Sequence, residues 1–347
     1  MVLSYYLIRP FYTAAWYVFK LFRKEKRAVF YCDDVFDVDL FANVQKYLKP
    51  LPLVAKNKTV AQKLKDRGVR DVRVLPVFPD AVIMMRNMAW KFPCPDIIRI
   101  GFEHGAYNFK RFSKAQYYNL FTVFFMTSSH DVKRVQKLGV KTAEAVGFPK
   151  IDGIVSGERN VPLDIPDMFR DSRKKTVLFS ATWDGSGMSA VHQWYDRLEQ
   201  LTARYNVWVT LHPWVSETYR DTIKNCSSVY FIDEYDVLPY IAAADVCIGD
   251  TNSLIAEFCL LDKPVITFRV PPTPRTLDDV TALIDEVSIR IDAFNELPGA
   301  IASALDTSSD FSRKRREATE RFFDRPDGNA GERAANRIME LVPSLAL

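Results

Sequence analysis

The sequence predicts an α/β protein of two doubly wound domains, each a parallel sheet covered by helices on both faces. The length of 347 residues corresponds to about two domains of ordinary size. From about residue 27 onward, short apolar runs rich in β-branched residues alternate with amphipathic helical stretches, which is typical of parallel sheets. An apolar content of 48% and a charged content of 26% exclude a disordered chain and a membrane-embedded one.

The first segment, residues 1–26, is aromatic and then basic. Arg9 and Lys20 leave too few uncharged residues between them for a helix that spans a bilayer. There is no small-residue cleavage site of the signal-peptide type. Aromatic residues beside a basic run (Lys20, Arg23, Lys24, Lys26 and Arg27) favour a segment that lies in the interface of an anionic membrane. The alternative is an aromatic helix docked on the protein's own core.

Twelve strand-like runs follow and divide into two sets. The runs are Arg27–Cys32, Leu51–Lys56, Val72–Val77, Asp96–Phe102, Thr122–Thr127, Ala143–Phe148, Thr176–Ser180, Val207–Leu211, Val229–Ile232, Val246–Gly249, Pro264–Phe268 and Val287–Ile291. Helical patterns lie between them, among them Ser189–Arg204 and Ser253–Leu261. A polar stretch with two prolines, 153–174, separates the sets. We therefore expect domains at 27–152 and 175–347, with the last helix packing back on the first domain.

Charge is distributed unevenly along the chain. Residues 1–150 carry a net charge of +14 and residues 151–347 a net charge of −10. The basic half suits an anionic membrane surface or a phosphate-bearing acceptor. No zinc-finger, helix-turn-helix or RNP signature supports a nucleic-acid partner. The five cysteines are odd in number and include no CxxC pair, so we expect buried thiols in a reducing cytoplasm rather than disulfides or zinc.

Two histidines stand at predicted strand ends, where doubly wound domains bind their ligands. Two such domains are expected to face a central cleft. The first histidine lies in Glu103-His104-Gly105, and imidazole is the usual general base because its pKa lies near neutrality. The second, His212, is followed by Pro213, which ends the strand and fixes the turn. A donor imidazole there could hold a phosphate oxygen, although a lone loop histidine is often structural.

The loop after the run 246–249 carries a further set of polar groups. Asp250, Thr251, Asn252 and Ser253 end the strand and open a helix, and Glu257 lies one turn further on. Hydroxyl, amide and backbone N–H groups at such a point bind phosphate, and a carboxylate one turn on could accept hydrogen bonds from ribose hydroxyls. Ordinary helix capping explains the same residue types.

Other signals are weaker or missing. The turn 327–333, which leads into the last helix, is compatible with plain capping. The acidic segment 33–39 is expected to be a solvated helix start rather than a metal site. The sequence has no GxGxxG, GxxxxGK[ST], GxSxG or HExxH, which argues against dinucleotide oxidoreductases, P-loop kinases, α/β-hydrolases and zincins.

Taken in order, these motifs resemble the CDP-glycerol glycerophosphotransferase family, GT-B enzymes that transfer polyol phosphates in teichoic-acid and capsule synthesis. The family pattern reads WHG, TSE…GxPRxD, APTWR, HP, DYSS…D and DGxSSxR. Its counterparts here are Glu103-His104-Gly105, Thr127-Ser128-Ser129 with Gly147-Phe148-Pro149-Lys150-Ile151-Asp152, Ser180-Ala181-Thr182-Trp183-Asp184, His212-Pro213, Asp250-Thr251-Asn252-Ser253 with Glu257, and Asp327-Gly328 with Arg333. The departures are Glu103 for Trp, Lys150 for Arg, Asp184 for Arg and Asn252 for Ser.

The resemblance implies a reaction and a role for each residue. His104 would remove the proton from an acceptor hydroxyl, whose oxygen attacks the β-phosphorus of a CDP-alcohol and displaces CMP. Phosphoryl transfer of this kind depends mainly on stabilisation of the developing charge. It implies no metal, no cofactor, and a cytoplasmic protein on the inner face of the bacterial membrane. The implied site comprises catalytic His104 and His212, donor-binding Thr182, Asp250, Asn252, Ser253, Glu257 and Arg333, and acceptor-side Glu103, Gly105 and Lys110.

Two other functions stay open at this point. One is a GT-B enzyme with a different donor, either a glycosyltransferase or a UDP-sugar 2-epimerase. The other is a non-catalytic, membrane-associated binding protein, which Glu103 and Asp184 suggest because both depart from the family pattern. The donor alcohol, glycerol, ribitol or another, also stays open.

Overall fold

The computed structural model describes residues 3–22, 27–107, 109, 111–157, 163–234, 236–306 and 308–347. The chain forms two compact units, each with its own parallel sheet. Unit 1 comprises Met1–Gly105, Phe112–Ser156 and Phe323–Leu347, and unit 2 comprises Ala106–Arg111 and Gly157–Phe322. Residues 323–347 therefore return to the unit that contains the start of the chain.

The secondary-structure elements alternate between strands and helices along the chain. The first part contains α1 (Leu3–Leu21), β1 (Ala28–Cys32), α2 (Phe36–Gln45), β2 (Leu53–Ala55), α3 (Lys58–Asp66), β3 (Arg73–Val74), β4 (Ala81–Met84), β5 (Ile98–Phe102), α4 (Ala115–Tyr118), β6 (Val123–Met126), α5 (Ser129–Gln136), β7 (Ala143–Ala145) and α6 (Asp152–Val155). The second part contains β8 (Lys175–Ala181), α7 (Glu199–Thr202), β9 (Tyr205–Leu211), α8 (Glu217–Lys224), β10 (Tyr230–Phe231), α9 (Leu238–Ala243), β11 (Val246–Gly249), α10 (Leu254–Leu260), β12 (Val265–Phe268), α11 (Asp278–Val287), β13 (Ile289–Ile291), α12 (Leu297–Asp306), α13 (Ser308–Phe323) and α14 (Ala330–Leu341).

The sheet of unit 1 has the strand order β3-β2-β1-β4-β5-β6-β7, and every pair is parallel. The order reverses between β1 and β4, so the carboxyl ends of these two strands form a topological switch point. Strand β1 is buried along its whole length, with Val29 paired to Val82 of β4. This is the burial expected of a central strand covered by helices on both faces.

Strand β4 was missing from the predicted strands. Its residues, Ala81–Met84, form a continuous apolar run that is buried throughout. No α-helix separates β3 from β4 or β4 from β5, so the alternation of strands and helices that marks the other strands is absent here. The other twelve strands lie within the predicted runs or extend them by one or two residues.

Unit 2 repeats the same topology, with the strand order β10-β9-β8-β11-β12-β13. Strands β8 and β9 pair over seven residues, from Lys175 with Tyr205 to Ala181 with Leu211. The switch point lies between β8 and β11, which pair directly. The chain is thus an α/β protein with two doubly wound, Rossmann-like sheets, as the sequence predicts.

The predicted helix Ser189–Arg204 is not continuous. It contains a 3₁₀ turn at Val191–Gln193 and the short helix α7, joined by turns. In most of its backbone hydrogen bonds the N–H of residue i+3 donates to the carbonyl oxygen of residue i, as from Arg197 N to Trp194 O and from Leu201 N to Leu198 O. The apolar residues Trp194 and Leu198 are buried, so the sequence pattern correctly indicated which face packs on the core. It did not indicate that the backbone forms 3₁₀ turns instead of a continuous α-helix.

Helix α14 is fixed to unit 1 by one carboxylate. Asp152 accepts hydrogen bonds from Ala330 N at 3.2 Å and from Gly331 N at 2.6 Å. Both donors lie in the first turn of α14, where backbone N–H groups have no partner within the helix. A Cβ at Gly331 would lie only 2.2 Å from Asn43 O of α2. Helices α14 and α2 are therefore so close at this point that only glycine fits at position 331.

Helix α1 has one docked face and one exposed face. Tyr12 and Trp16 are buried against unit 1, where Trp16 Nε1 donates to Pro79 O at 2.6 Å. From residue 6 onward, the other large apolar side chains of α1 are exposed: Tyr6, Leu7, Ile8, Phe11, Tyr17, Val18, Phe19 and Leu21, followed by Phe22. Among the described residues, no helix is both long and apolar enough to cross a membrane. Arg23, Lys24 and Lys26 of the basic run lie outside the described residues.

Candidate functional site

The candidate residues fall into two clusters at the carboxyl ends of strands, one in each unit. The β5-end cluster of unit 1 contains Glu103, His104 and Gly105, with Thr127 and Asp131 beside them. The donor-loop cluster of unit 2 contains the residues that follow β8, β9 and β11: Thr182, His212, Asp250, Asn252, Ser253 and Glu257.

In the β5-end cluster, an exposed imidazole lies beside a buried carboxyl group. His104 Nδ1 lies 3.4 Å from Glu103 Oε1, and their side chains are 53% and 12% exposed. Glu103 is held in place because its backbone N donates to Phe125 O of β6 at 2.9 Å. Burial, with the negative charge of Asp131, raises the pKa of Glu103 to about 7. Glu103 can therefore change its protonation state near neutral pH.

The neighbouring strand end supplies a buried hydroxyl and a helix cap. Thr127, directly after β6, is 2% exposed, and its Oγ1 has no hydrogen-bond partner among the described residues. Ser128 caps α5 by accepting from Asp131 N at 3.2 Å. Asp131 in turn accepts from Arg134 Nη1 at 2.7 Å. Sequence reasoning assigned Thr127 and Ser128 to a motif but gave neither a role.

The acidic segment after β1 is not the solvated helix start that the sequence predicts. Asp37 is fully buried and accepts hydrogen bonds from Asp33 N, Asp34 N and Arg86 Nε at 2.8 to 3.0 Å. Burial raises the pKa of Asp37, although Arg86 and the backbone donors act against this rise. Asp37 thus joins β1 to the segment after β4 at the switch point of unit 1.

In the donor-loop cluster, Asp250 has a structural position. It is fully buried, and its carboxylate accepts from Thr182 N at 3.1 Å and from Ala190 N at 3.0 Å. It also accepts from the N–H of Thr251. Burial raises the pKa of Asp250, against the lowering effect of these bonds. Asp250 therefore holds the ends of β8 and β11 together and shapes the loop that Thr251 begins.

Of the residues after Asp250, some hold the loop together and others have polar groups that could bind a ligand. Asn252 donates to Ser180 O at 3.3 Å and accepts from Leu254 N at 3.1 Å. Ser253 is half-buried, and within the described chain its hydroxyl makes no capping bond to α10. Helix α10 has only seven residues, and Glu257 within it is 2% exposed. Ser253 is thus the hydroxyl of this loop best placed to bind a ligand.

His212 is oriented by its own turn. Its Nδ1 accepts from Trp214 N at 3.1 Å, so the neutral ring carries its proton on Nε2, which can donate. Arg220 Nη2 donates to His212 O at 3.1 Å. Trp214 is 65% exposed and packs edge-on against Trp183, with ring centroids 5.7 Å apart. The role of His212 as a donor to phosphate stays a prediction, and its Nε2–H is the group that would carry that role.

Asp184, where the family pattern has arginine, joins two loops of unit 2. Its carboxylate accepts from Ser216 N at 2.9 Å and from the Ser216 hydroxyl. Burial alone would raise the pKa of Asp184, but the bonds from Ser216 leave it below its usual value. The substitution therefore exchanges a cation for an anion that positions Trp183 and the turn after β9.

Arg333 lies in unit 1, whereas the other predicted donor-binding residues lie in unit 2. Its Nη1 donates to both carboxylate oxygens of Asp327, at 2.7 and 2.8 Å. Its Nε donates to Val146 O at 3.1 Å and its Nη2 to Arg325 O at 3.2 Å. In this structure Arg333 thus fastens α14 to unit 1. Lys110, predicted on the acceptor side, lies outside the described residues.

Comparison with known proteins identifies a family over most of the chain. Residues 98–340 match the family model described as CDP-Glycerol:Poly(glycerophosphate) glycerophosphotransferase. This range contains every residue of both clusters.

Two curated relatives share part of the chain. The teichoic acid poly(ribitol-phosphate) polymerase of Bacillus spizizenii is 28% identical over 185 residues, which are 48% of this chain and 28% of that protein. The teichoic acid glycerol-phosphate primase of Bacillus subtilis is 22% identical over 267 residues, which are 73% of this chain and 65% of that protein. The chain therefore spans less than two thirds of the length of either relative.

Solved structures share the fold at low identity. A variant of the wall teichoic acid polymerase TagF soaked with CDPG has a TM-score of 0.69 and 12% identity, covering 92% of this chain and 89% of that chain. A Staphylococcus aureus MnaA structure with UDP has a TM-score of 0.63 and 14% identity, covering 92% and 98%. At these identities the likeness concerns the fold, which is the α/β, GT-B type with two parallel sheets.

Proposed function

Because the chain belongs to the CDP-glycerol:poly(glycerophosphate) glycerophosphotransferase family, we propose that it transfers a polyol phosphate from a CDP-alcohol to a hydroxyl acceptor. CMP is the second product, and the acceptor is a lipid-linked or polymeric molecule of the cell surface. The names of the two teichoic acid relatives and of TagF, which was soaked with CDPG, support this substrate class.

The pairing of exposed His104 with buried Glu103 carries the proposal. With Nδ1 facing Glu103 Oε1 at 3.4 Å, Nε2 of His104 is the nitrogen that takes the proton of the acceptor hydroxyl. The Glu103 carboxylate orients the ring and stabilises the imidazolium that forms. Glu103 thus replaces the tryptophan of the family pattern with a group that acts on His104 directly.

The donor is assigned to the loop residues of unit 2. The acceptor oxygen attacks the β-phosphorus, and the bond from that phosphorus to the bridging oxygen breaks, so CMP leaves with the electron pair. Nε2–H of His212 and the hydroxyl of Ser253 bind phosphate oxygens, and Glu257 accepts from the ribose. Asp250 and Thr182 act through the backbone, since their mutual bond fixes the loop.

The proposal includes no divalent metal, because hydrogen-bond donors supply the positive charge that phosphoryl transfer needs. Equal rates in magnesium and in a chelator are therefore expected. A rate that vanishes in the chelator and returns with magnesium would contradict this part of the mechanism.

The first experiment is CMP release from CDP-glycerol and CDP-ribitol by the full chain, with an amphiphilic glycerol-phosphate acceptor. Acceptor-dependent CMP is expected, and His104→Ala should reduce its rate by a factor of about a hundred or more. His192→Ala is the matched control, since His192 is exposed in unit 2 and outside both clusters.

Other donors separate the alternatives. Turnover of a UDP-sugar without CMP formation from either CDP-alcohol would overturn the proposal in favour of a glycosyltransferase or a 2-epimerase. If no nucleotide donor is turned over, the result would favour a non-catalytic binding protein.

We also place the protein on an anionic membrane surface, where a lipid-linked acceptor would lie. The exposed apolar face of α1 and the +14 charge of residues 1–150 support this position. On the proposed donor chemistry, this is the cytoplasmic face.

A further inference from the structure

Arg290 is a buried cation that the proposed mechanism does not use. It lies in the middle of β13, and its side chain is 10% exposed. Its Nε and Nη1 have no hydrogen-bond partner among the described residues. Asp285 Oδ1 lies 3.3 Å from Nε, but that carboxylate is half exposed and makes no hydrogen bond with it.

The burial of this guanidinium is unusual. Arginine is almost never buried without partners for its N–H groups, because desolvation of an unsatisfied charge is strongly unfavourable. Burial also lowers the pKa of Arg290. In the described part of the chain Arg290 has Asp285 as an ion-pair partner, but neither Nε nor Nη1 has a hydrogen-bond acceptor, and a ligand oxygen would supply one.

A small cavity lies in front of Arg290. Its volume is about 30 Å³, and its lining includes Arg290, Thr251, Met188, Thr276 and Ile284. A buried water needs roughly 10–15 Å³ of such space, so the cavity has room for about two oxygen-sized atoms. The wall of α11 is apolar there, which strengthens any charge interaction inside.

The cavity adjoins the donor loop of the same unit. Thr251 lines it and directly follows Asp250, which fixes that loop to the end of β8. The Thr251 hydroxyl donates to Met188 O at 3.2 Å, so the loop and the cavity wall are joined. An oxygen of a phosphate group bound at the loop would give one of these N–H groups the acceptor that it lacks, and a hydrogen bond between two charged groups is among the strongest in proteins.

We propose that Arg290 binds the terminal phosphate of the donor diphosphate, with a phosphate oxygen entering the cavity that Thr251 and Arg290 line. This inference rests on the proposed function for the choice of cytidine as the nucleoside. The binding of a diphosphate by Arg290 does not depend on that choice. Arg290 would then select a nucleoside diphosphate over a monophosphate and would hold the phosphate that is transferred.

The test is calorimetric titration of the full chain with CMP, CDP and CDP-glycerol, and with UMP and UDP in parallel. Arg290→Gln is expected to weaken CDP and CDP-glycerol about tenfold to a hundredfold, the range for a hydrogen bond to a charged group. The affinity for CMP should change less than about twofold. Arg269→Gln is the matched control, because Arg269 is half exposed and already paired with Asp292 at 3.2 Å.

Thermal unfolding without ligand separates a binding role from a structural one. Removal of an unsatisfied buried charge should leave the melting temperature of Arg290→Gln unchanged or higher, whereas loss of a structural arginine would lower it. Arg290→Lys, which keeps the charge but not the fork, should restore only part of the preference for diphosphate.

The outcomes distinguish this inference from the proposed function. Equal losses for CMP and CDP, or a wild-type protein that does not prefer the diphosphate, would overturn the role of Arg290. An Arg290-dependent preference for UDP over UMP, with no binding of the cytidine compounds, would support Arg290 and overturn the proposed donor.

Discussion

Glu103 occupies the position at which the family pattern has tryptophan, and its carboxyl group changes what the neighbouring histidine can do. A tryptophan offers no charge to His104, whereas Glu103 offers a buried carboxyl group 3.4 Å away. Since the pKa of Glu103 is raised to about 7, this carboxyl group is partly protonated at neutral pH. The charge that Glu103 presents to His104 therefore depends on pH near 7.

Glu103 should also make stability depend on pH. Between its ordinary pKa of 4.5 and its folded value of about 7, the folded chain keeps a proton that the unfolded chain releases. Its contribution to the free energy of unfolding is therefore full below about pH 4.5 and is lost as pH rises through 7. In urea unfolding, the free energy of unfolding of the wild type should fall by an amount on the order of 3 kcal/mol between pH 5 and pH 8. Glu103→Gln should not show this decrease, because its side chain does not titrate.

This prediction has a clear contrary result. If wild type and Glu103→Gln lose the same free energy of unfolding between pH 5 and pH 8, Glu103 does not titrate in that interval. Any pH dependence of the reaction in that interval would then belong to another group.

The sequence indicated His104 and His212 because each follows an apolar run and stands before a glycine or a proline that ends the strand. It could not indicate the inward role of Asp250, since the partner N–H groups of Thr182 and Ala190 lie 68 and 60 residues away. Arg290 gave no signal at all. An arginine inside a short strand resembles a solvated edge residue until the packing of α11 against it is known.

At the scale of elements, α10 is fixed to α13 through one aspartate. Asp262 follows α10 with a positive φ of 50°, and its Oδ1 accepts from Arg315 Nε at 2.8 Å. Arg315 also donates to Asp262 O at 3.2 Å and is 1% exposed. Because α10 carries Glu257 and follows Ser253, this contact maintains the position of the donor loop.

Asp262→Ala should therefore destabilise the protein by about 3 kcal/mol, because it takes the carboxylate away from a buried guanidinium. Asp262→Asn keeps an oxygen acceptor and tolerates a positive φ, so it should lose less than half as much. Urea unfolding of the two variants measures the difference. Equal stability of Asp262→Ala and wild type would show that Arg315 does not depend on this carboxylate.

Helix α14 offers a matched pair of glycine substitutions. Gly331→Ala places a Cβ 2.2 Å from Asn43 O, and we expect a loss of about 2–3 kcal/mol or more through overpacking. Gly299, in the exposed part of α12, has no atom within 4 Å of an added Cβ. Gly299→Ala should instead gain about 0.5–1 kcal/mol through helix propensity. Opposite shifts in melting temperature would support the close approach of α14 to α2, and a gain in both would contradict it.

Elements were predictable wherever apolar runs were bounded by turn residues. The paired strands β8 and β9 and the helix α10 lie close to their predicted limits. Strand β4 was missed because no α-helix separates it from β3 or β5, so the alternation of strands and helices does not mark it. The segment 189–204 showed helical spacing, yet its backbone winds mainly in 3₁₀ turns, which bury residues at nearly the same interval.

At the scale of the whole molecule, charge and apolar surface coincide at the start of the chain. Helix α1 is anchored by Trp16, leaving Phe11, Leu21 and Phe22 each more than three quarters exposed. A patch of this kind is unfavourable in water, so we expect it to bind a membrane or another protein. The excess of positive charge in the first half favours an anionic lipid surface.

Vesicle co-sedimentation tests this surface. The full chain should bind phosphatidylglycerol vesicles, and the double variant Phe11→Ser with Phe22→Ser should bind at least tenfold more weakly. Met168→Ser is the matched control, because Met168 is 72% exposed but lies in unit 2. Binding that is insensitive to the double variant, or equal on neutral vesicles, would contradict an interfacial role for α1.

The return of residues 323–347 to unit 1 has a consequence for synthesis on the ribosome. Asp152 meets its partners in α14 only after 178 further residues have been added, and unit 2 is made in between. Until then Asp152 lacks these two N–H donors and α2 lacks the helix that packs on it. The contacts of α14 with Asp152 and α2 are therefore among the last that synthesis permits, although all three belong to unit 1.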